Sequence, residues 1–136
     1  FQEFSQRYAN PKEMGDMFEY AEARLQDTKN RQNSIPTENV QLIHEWTDVQ
    51  DEVIAATKKA YEWAIENGIA KEQARKVLPE GLTKTRLYMN GTIRSWIHYI
   101  DLRGANGTQL EHMQIAHACA DAIAKIFPNI TNYTAE

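Results

Sequence analysis

The sequence predicts an α+β protein, mostly helical, in which long helices pack on a small sheet and oligomerisation completes the fold. Three observations carry this. Apolar residues recur at steps of three or four along residues 36–68, the period of an amphipathic helix. Two further helical segments near 92–103 and 108–127 carry start and stop signals. The remaining stretches near 18–26 and 82–89 lack a helical period and suit short strands.

Residues 1–35 are punctuated by turns at Ala9-Asn10-Pro11 and Gly15-Asp16 and by the polar loop Asn30-Arg31-Gln32-Asn33-Ser34, with one extended segment over 18–26 between them. A helix is expected from Pro36-Thr37-Glu38, because proline and acidic charge suit a first turn. Its apolar stripe is Leu42, Trp46, Val49, Val53, Ala56, Ala60 and Trp63, and it closes at Asn67-Gly68. At about 1.5 Å per residue it would run roughly 45 Å, longer than a domain of this size needs. A second apolar set, Ile43, Ile54, Tyr61 and Ile65, widens the face, which suits packing against another chain as well as a polar-sided helix in a monomer. A short helix over 70–77 must stop before Pro79, and residues 82–89 form a candidate strand.

The next helix, 92–103, is capped by Thr92 or Asn90 and closed by Gly104, with a core stripe of Ile93, Trp96, Ile97 and Ile100. Arg94, His98 and Asp101 share its other face, and Arg103 lies at the exit on the side of Trp96. This pattern suits a grip on phosphates, carbonyls or an anionic ring, and more simply a solvated polar face. The last helix starts at a capping box, Thr108-Gln109-Leu110-Glu111. It runs to Phe127 before Pro128 on a stripe of Leu110, Met113, Ala116, Ala120, Ile123 and Phe127.

The 136 residues are 42% hydrophobic and 25% charged with net charge −4, which suits one core-bearing domain and argues against a nucleic-acid or membrane-surface binder. No apolar run is long enough for a bilayer. A single cysteine, Cys119, excludes an internal disulfide and suits a reducing compartment. The first residues show neither methionine nor a leader pattern, so the chain is expected to be trimmed at its N-terminus. His112 and His117 are five apart and diverge around a helix, so no metal is expected. In Glu3-Phe4-Ser5-Gln6-Arg7-Tyr8, an extended backbone would align Glu3, Ser5 and Arg7. A carboxylate, a hydroxyl and a guanidinium together suit a phosphorylated sugar. A plain surface strand with an internal Glu–Arg pair has the same spacing.

Glu3-x-Ser5-x-Arg7-Tyr8 resembles the end of the R-H-R-x-x-S-x-N-E-x-S-x-R-Y signature of flavin-dependent thymidylate synthases, with Gln2 where Asn is usual. Ala74-Arg75-x-Val77-Leu78-Pro79-x-Gly81-Leu82, then Arg94-Ser95-x-x-His98-Tyr99-x-x-Leu102-Arg103, is similar to the second conserved region of that family, and Gln109-x-Glu111 to the motif that follows. The order holds over essentially the whole chain, apart from an extra residue before Thr92, and the form around Met89-Asn90-Gly91-Thr92 is similar to phage and marine-type members. The Arg-His-Arg half of the signature is absent, and Gly107 stands where some members have a flavin-contacting His.

The resemblance implies that residues 1–136 are the C-terminal portion of a single synthase domain acting in the cytoplasm of a bacterial or phage-infected cell. It implies reductive methylation of dUMP to dTMP, with methylenetetrahydrofolate as carbon donor and NADPH as reductant through FAD, in a homotetramer with shared active sites. Glu3, Ser5, Gln6, Arg7 and Arg75 would hold dUMP; Thr92, Ile93, Arg94 and His98 would line the flavin. Arg103 would face the uracil as the catalytic cation. The alternative is a non-catalytic nucleotide-binding or helical assembly protein.

Overall fold

The computed structural model describes residues 2–3, 17–105 and 107–133. In chain order it comprises β1 (Gln2–Glu3), β2 (Arg24–Gln26), β3 (Ser34–Pro36), α1 (Val40–Glu66) and α2 (Lys71–Ala74). A 3-10 turn at Arg75–Val77, β4 (Leu87–Tyr88), α3 (Ile93–Gly104), α4 (Leu110–Ala124) and a 3-10 turn at Pro128–Tyr133 follow. The α+β class is therefore as the sequence predicts. Two compact units emerge, one from the described parts of Phe1–Ala23 and Glu38–Met89, the other from Arg24–Thr37 and Asn90–Glu136.

In the first unit α1 begins at Val40, not at Pro36, because the Asn39 side chain accepts the Leu42 N–H at 3.2 Å and caps the first turn. Pro36 instead ends β3, which pairs antiparallel with β2 as Arg24↔Pro36, Leu25↔Ile35 and Gln26↔Ser34. The helix has 27 residues, about 40 Å at 1.5 Å each. It closes as the sequence suggests. Gly68 at φ 73° lets its N–H reach Ile65 O (3.1 Å) while the Ile69 N–H reaches Ala64 O (2.9 Å), both bonds of a Schellman motif.

The expected stripe on α1 is wrong in its phase. The buried residues are Gln50, Ile54, Thr57, Tyr61 and Ala64, while Trp46, Val49, Val53 and Trp63 stay 40–60% exposed. Ile54 and Tyr61 of this ridge belong to the second apolar set expected on the helix, whereas Gln50 and Thr57 escape hydropathy because they are polar. Gln50 is buried with its amide satisfied: Oε1 accepts the Ala21 N–H at 2.7 Å, and Nε2 donates to Ala21 O and Trp46 O, each at 3.1 Å. Trp46 Nε1 also donates to Ala21 O at 2.9 Å, so the segment before β2 is fastened along α1 by side chains.

The expected extended segment over 18–26 is accordingly broken up. Phe18, 2% exposed, makes an isolated antiparallel bridge with Thr83, and strand pairing resumes only at Arg24. Lys58 Nζ lies 5.6 Å from the Phe18 ring centre, a cation–π contact. The candidate strand over 82–89 shrinks to β4, which pairs antiparallel with β1 as Gln2↔Tyr88 and Glu3↔Leu87. Its earlier part is drawn into a turn, with Leu82 and Thr83 N–H groups bonded to Pro79 O. Tyr61, Ala64 and Ala74 form a core against which Leu78 packs.

In the second unit Ile100, Ala120 and Ile130 form the core, joined by Ile97, Tyr99, Ile123 and Ala124. Of the stripe expected on α3, Ile100 is fully buried, Trp96 and Ile97 are half-buried, and Ile93 stays 40% exposed. The expected capping box on α4 does not form. Gln109 is the N-cap and makes no side-chain cap bond, whereas Glu111 pairs with Arg24 of β2. A half-buried guanidinium offers that carboxylate a stronger partner than a backbone N–H does. The helix also stops at Ala124, before the expected Phe127. Ile126 and Phe127 N–H groups both turn to Ile123 O, since Pro128 disfavours helical backbone before it, and Phe127 is exposed.

Candidate active site

Helix α3 and its N-cap carry half of the candidate residues. Its first turn is set by Thr92, whose Oγ1 accepts the Ser95 N–H at 3.2 Å and lies 3.0 Å from Ser95 Oγ. Of the two alternatives for this cap, the structure uses Thr92. One mutual bond between two hydroxyls leaves one O–H free for a ligand, so Ser95 enters the site as a residue the sequence did not single out. Gly91 lies against the same turn, where an added Cβ would come 3.6 Å from Ser95 Cβ and from Trp96 Nε1.

From that cap, Arg94, His98 and Asp101 run along an exposed face, the polar stripe the spacing predicts. Arg103, in the last turn, is also exposed. Between them Tyr99 is wedged, with Trp96 edge-on at 5.9 Å and the His112 ring tilted at 5.7 Å. Burial pushes the Tyr99 hydroxyl above its ordinary pKa, the neighbouring Cys119 adds to the rise, and the Arg103 guanidinium opposes it. Arg103 therefore throws positive potential onto the ring beside it. His112 belongs to this aromatic cluster, a role that no local spacing reveals.

The end of α3 is held by α4. His117 Nε2 donates to Gly104 O at 3.0 Å, and a Cβ at Gly104 would lie 3.1 Å from His117 Cδ2 and Nε2. Gly104 is thus the last residue of the helix, required for close approach and not for a left-handed cap. Among the described residues no group of three or more His, Cys, Asp or Glu side chains could hold a metal ion.

The candidate substrate residues are spread differently. Glu3 lies on β1, where its Oε1 accepts a hydrogen bond from Thr85 Oγ1 at 2.9 Å. Arg75 is half-buried at the junction of α2 and the 3-10 turn, and its carbonyl accepts the Leu78 N–H at 3.1 Å. Both belong to the first unit, and residues 92–103 to the second. Ser5, Gln6 and Arg7 lie outside the described residues, as do the turns expected at Ala9-Asn10-Pro11 and Gly15-Asp16. Burial raises the Cys119 thiol above its ordinary pKa, the wrong direction for a nucleophilic thiolate.

Residues 1–129 match the family described as thymidylate synthase complementing protein. The chain is 49% identical over 130 residues to a protein of Paramecium bursaria Chlorella virus 1 named "Probable flavin-dependent thymidylate synthase". It is 45% identical over 130 residues to the "Flavin-dependent thymidylate synthase" of Synechocystis sp.. Each alignment covers 96% of this chain and 58% of the relative. The protein of the same name from Kosmotoga olearia is 36% identical over 104 residues, covering 76% of this chain and 43% of the relative. The chain belongs to the thymidylate synthase complementing protein family. It spans a little over half the length of the first two relatives.

Proposed function

We propose that this chain is the C-terminal portion of an FAD-dependent thymidylate synthase domain that converts dUMP to dTMP. Methylenetetrahydrofolate donates the carbon and NADPH the reducing equivalents, in a homotetramer whose active sites are shared between chains. The enzyme works in the cytoplasm of a bacterial or phage-infected cell. The observation that carries this reading is the family match over residues 1–129, joined to the exposed Arg94, His98 and Arg103 of α3. No helix among the described residues is long and apolar enough to cross a membrane.

The residues present fit a flavin. Arg94 and His98 stand one turn apart on an exposed face, and the Thr92–Ser95 pair adds a hydroxyl donor at its N-terminal end. In this reading Arg94 and His98 grip the cofactor, with Thr92 and Ile93 at its edge. Glu3, Ser5, Gln6, Arg7 and Arg75 hold the nucleotide by its phosphate and sugar. Arg103 faces the uracil. A guanidinium stays protonated at every working pH, so it stabilises negative charge developing at N3 without a proton transfer of its own. Bound FAD would supply hydride to the activated ring. The raised thiol of Cys119 agrees with a route that needs no protein nucleophile. The exposed Trp46, Val49, Val53 and Trp63 of α1 support assembly with further copies.

The test uses the protein of the full reading frame. It should be yellow, and it should release tritium from C5-labelled dUMP when methylenetetrahydrofolate and NADPH are present. Arg103→Ala should lower turnover by about 10²–10³-fold with FAD still bound. FAD bound without turnover would leave the non-catalytic assembly protein, which the exposed ridge of α1 also favours.

A further inference from the structure

The candidate catalytic cation sits one residue before a backbone clamp. The last carbonyls of any α-helix lack partners within the helix. At the end of α3 one of them, Gly104 O, accepts from His117 Nε2 at 3.0 Å. His117 comes from the middle of α4, 13 residues along the chain. Gly104 is buried, and an added Cβ would press on the imidazole at 3.1 Å, so ring and backbone are in close contact. Beyond the contact the chain leaves the helix at once, Ala105 being extended with φ −76° and ψ 154°. The preceding turn is pinned separately by Ile100, which is fully buried against Ala120 of the same α4. The backbone that launches Arg103 is thereby fixed on both sides by α4.

We propose that His117 is a positioning residue for Arg103: by holding the Gly104 carbonyl it fixes where the Arg103 guanidinium starts from. The inference rests on the reading of Arg103 given above. The clamp needs the ring proton on Nε2, since a carbonyl oxygen can only accept. Its worth is geometric. A displacement of the order of 1 Å at a catalytic group is enough to lower a rate by roughly 10²-fold, and among the described residues no hydrogen bond or ion pair holds the exposed Arg103 side chain.

The experiment measures tritium release by the FAD-loaded full-length enzyme in two backgrounds, wild type and Arg103→Ala. His117→Leu, which removes the donor, should lower kcat about tenfold or more while KM for dUMP and FAD content stay within about twofold. His117→Gln, whose amide N–H can reach the same carbonyl, should restore most of the loss. In the Arg103→Ala background His117→Leu should change the residual rate less than about twofold, because the group it positions is gone. Should His117→Leu fail to fold, Gly104→Ala displaces the ring by a few tenths of an ångström and serves the same comparison. An equal loss from His117→Leu in both backgrounds, or wild-type kcat in that variant, overturns the positioning role. Full activity in Arg103→Ala alone overturns the parent reading instead, so the two failures are told apart.

Discussion

Truncating Ile100 is the most direct way to test whether the second unit is built as described. This side chain has no exposed surface and sits between Ala120, 1% exposed, and Ile130, 3% exposed. Ile100→Ala removes the branched side chain and leaves a void. Large-to-small changes of this kind cost about 2–5 kcal/mol, depending on how far the surroundings collapse. Here collapse is limited on the side of Ala120, whose methyl group has no rotamer to swing inward. A loss of about 3–4 kcal/mol is therefore expected, against about 1 kcal/mol for Ile100→Val. Native-state hydrogen exchange reads this locally. At about 1.4 kcal/mol per factor of ten, amides of α3 and α4 should lose protection by more than about 100-fold in the alanine variant and by about fivefold in the valine variant. If the two variants exchange alike, Ile100 does not plug the core and the packing argument fails.

Three further outcomes follow from the contacts. Asn39→Ala removes the N-cap of α1 and should cost about 1 kcal/mol, seen as faster exchange of the Leu42 amide. A double-mutant cycle on Arg24 and Glu111 should give a coupling of only about 0.5–1 kcal/mol in urea unfolding, because the Glu111 side chain is 49% exposed although that of Arg24 is 12% exposed. Burial raises the Cys119 thiol, so iodoacetamide should modify it more slowly at mildly alkaline pH than a free thiol, with the rate climbing only at higher pH. The folded state favours the neutral thiol. Its contribution to stability is therefore complete below the ordinary thiol pKa and fades as pH rises through the elevated one, which pH-dependent unfolding measures.

What could be read from the sequence was decided by whether the signal was local. Thr92 as a cap, the Asn67-Gly68 stop and the break before Pro79 each depend on a few adjacent residues, and each appears in the structure. The start of α1 was misplaced because Pro36 satisfies helix-start and edge-strand rules equally. Only the distant pairing with Arg24 decides between them. Thr108 and Glu111 fit a capping box in isolation, yet Arg24, far away in sequence, takes the carboxylate. The same holds for the site. Spacing puts Arg94 and His98 on one face but only the resemblance gives them a role, whereas Ser95 becomes relevant only once its hydroxyl is seen against Thr92. His117 lies five residues from His112, a spacing that diverges around a helix and gives the ring no role. Its partner is a backbone carbonyl, which carries no residue-type signature at all.

The error on α1 has a physical origin that bears on the proposed assembly. A hydropathy stripe marks the face a helix hides from water in the working protein, whichever chain covers it. In this chain alone the buried ridge is Gln50, Ile54, Thr57, Tyr61 and Ala64, and the more apolar stripe with Trp46, Val49, Val53 and Trp63 faces out. Polar residues serve on the intramolecular ridge because Gln50 has a specific backbone partner in Ala21. The outer stripe has Trp46 tied by its indole N–H to Ala21 O, with its ring still 40% exposed. A helix that buries Gln50 and Thr57 while Trp46, Val49, Val53 and Trp63 stay outward has a second apolar stripe to cover. Covering the second with further copies of the chain is what the proposed homotetramer would do. The stripe the sequence displays most plainly is thus the one that this chain, by itself, does not bury.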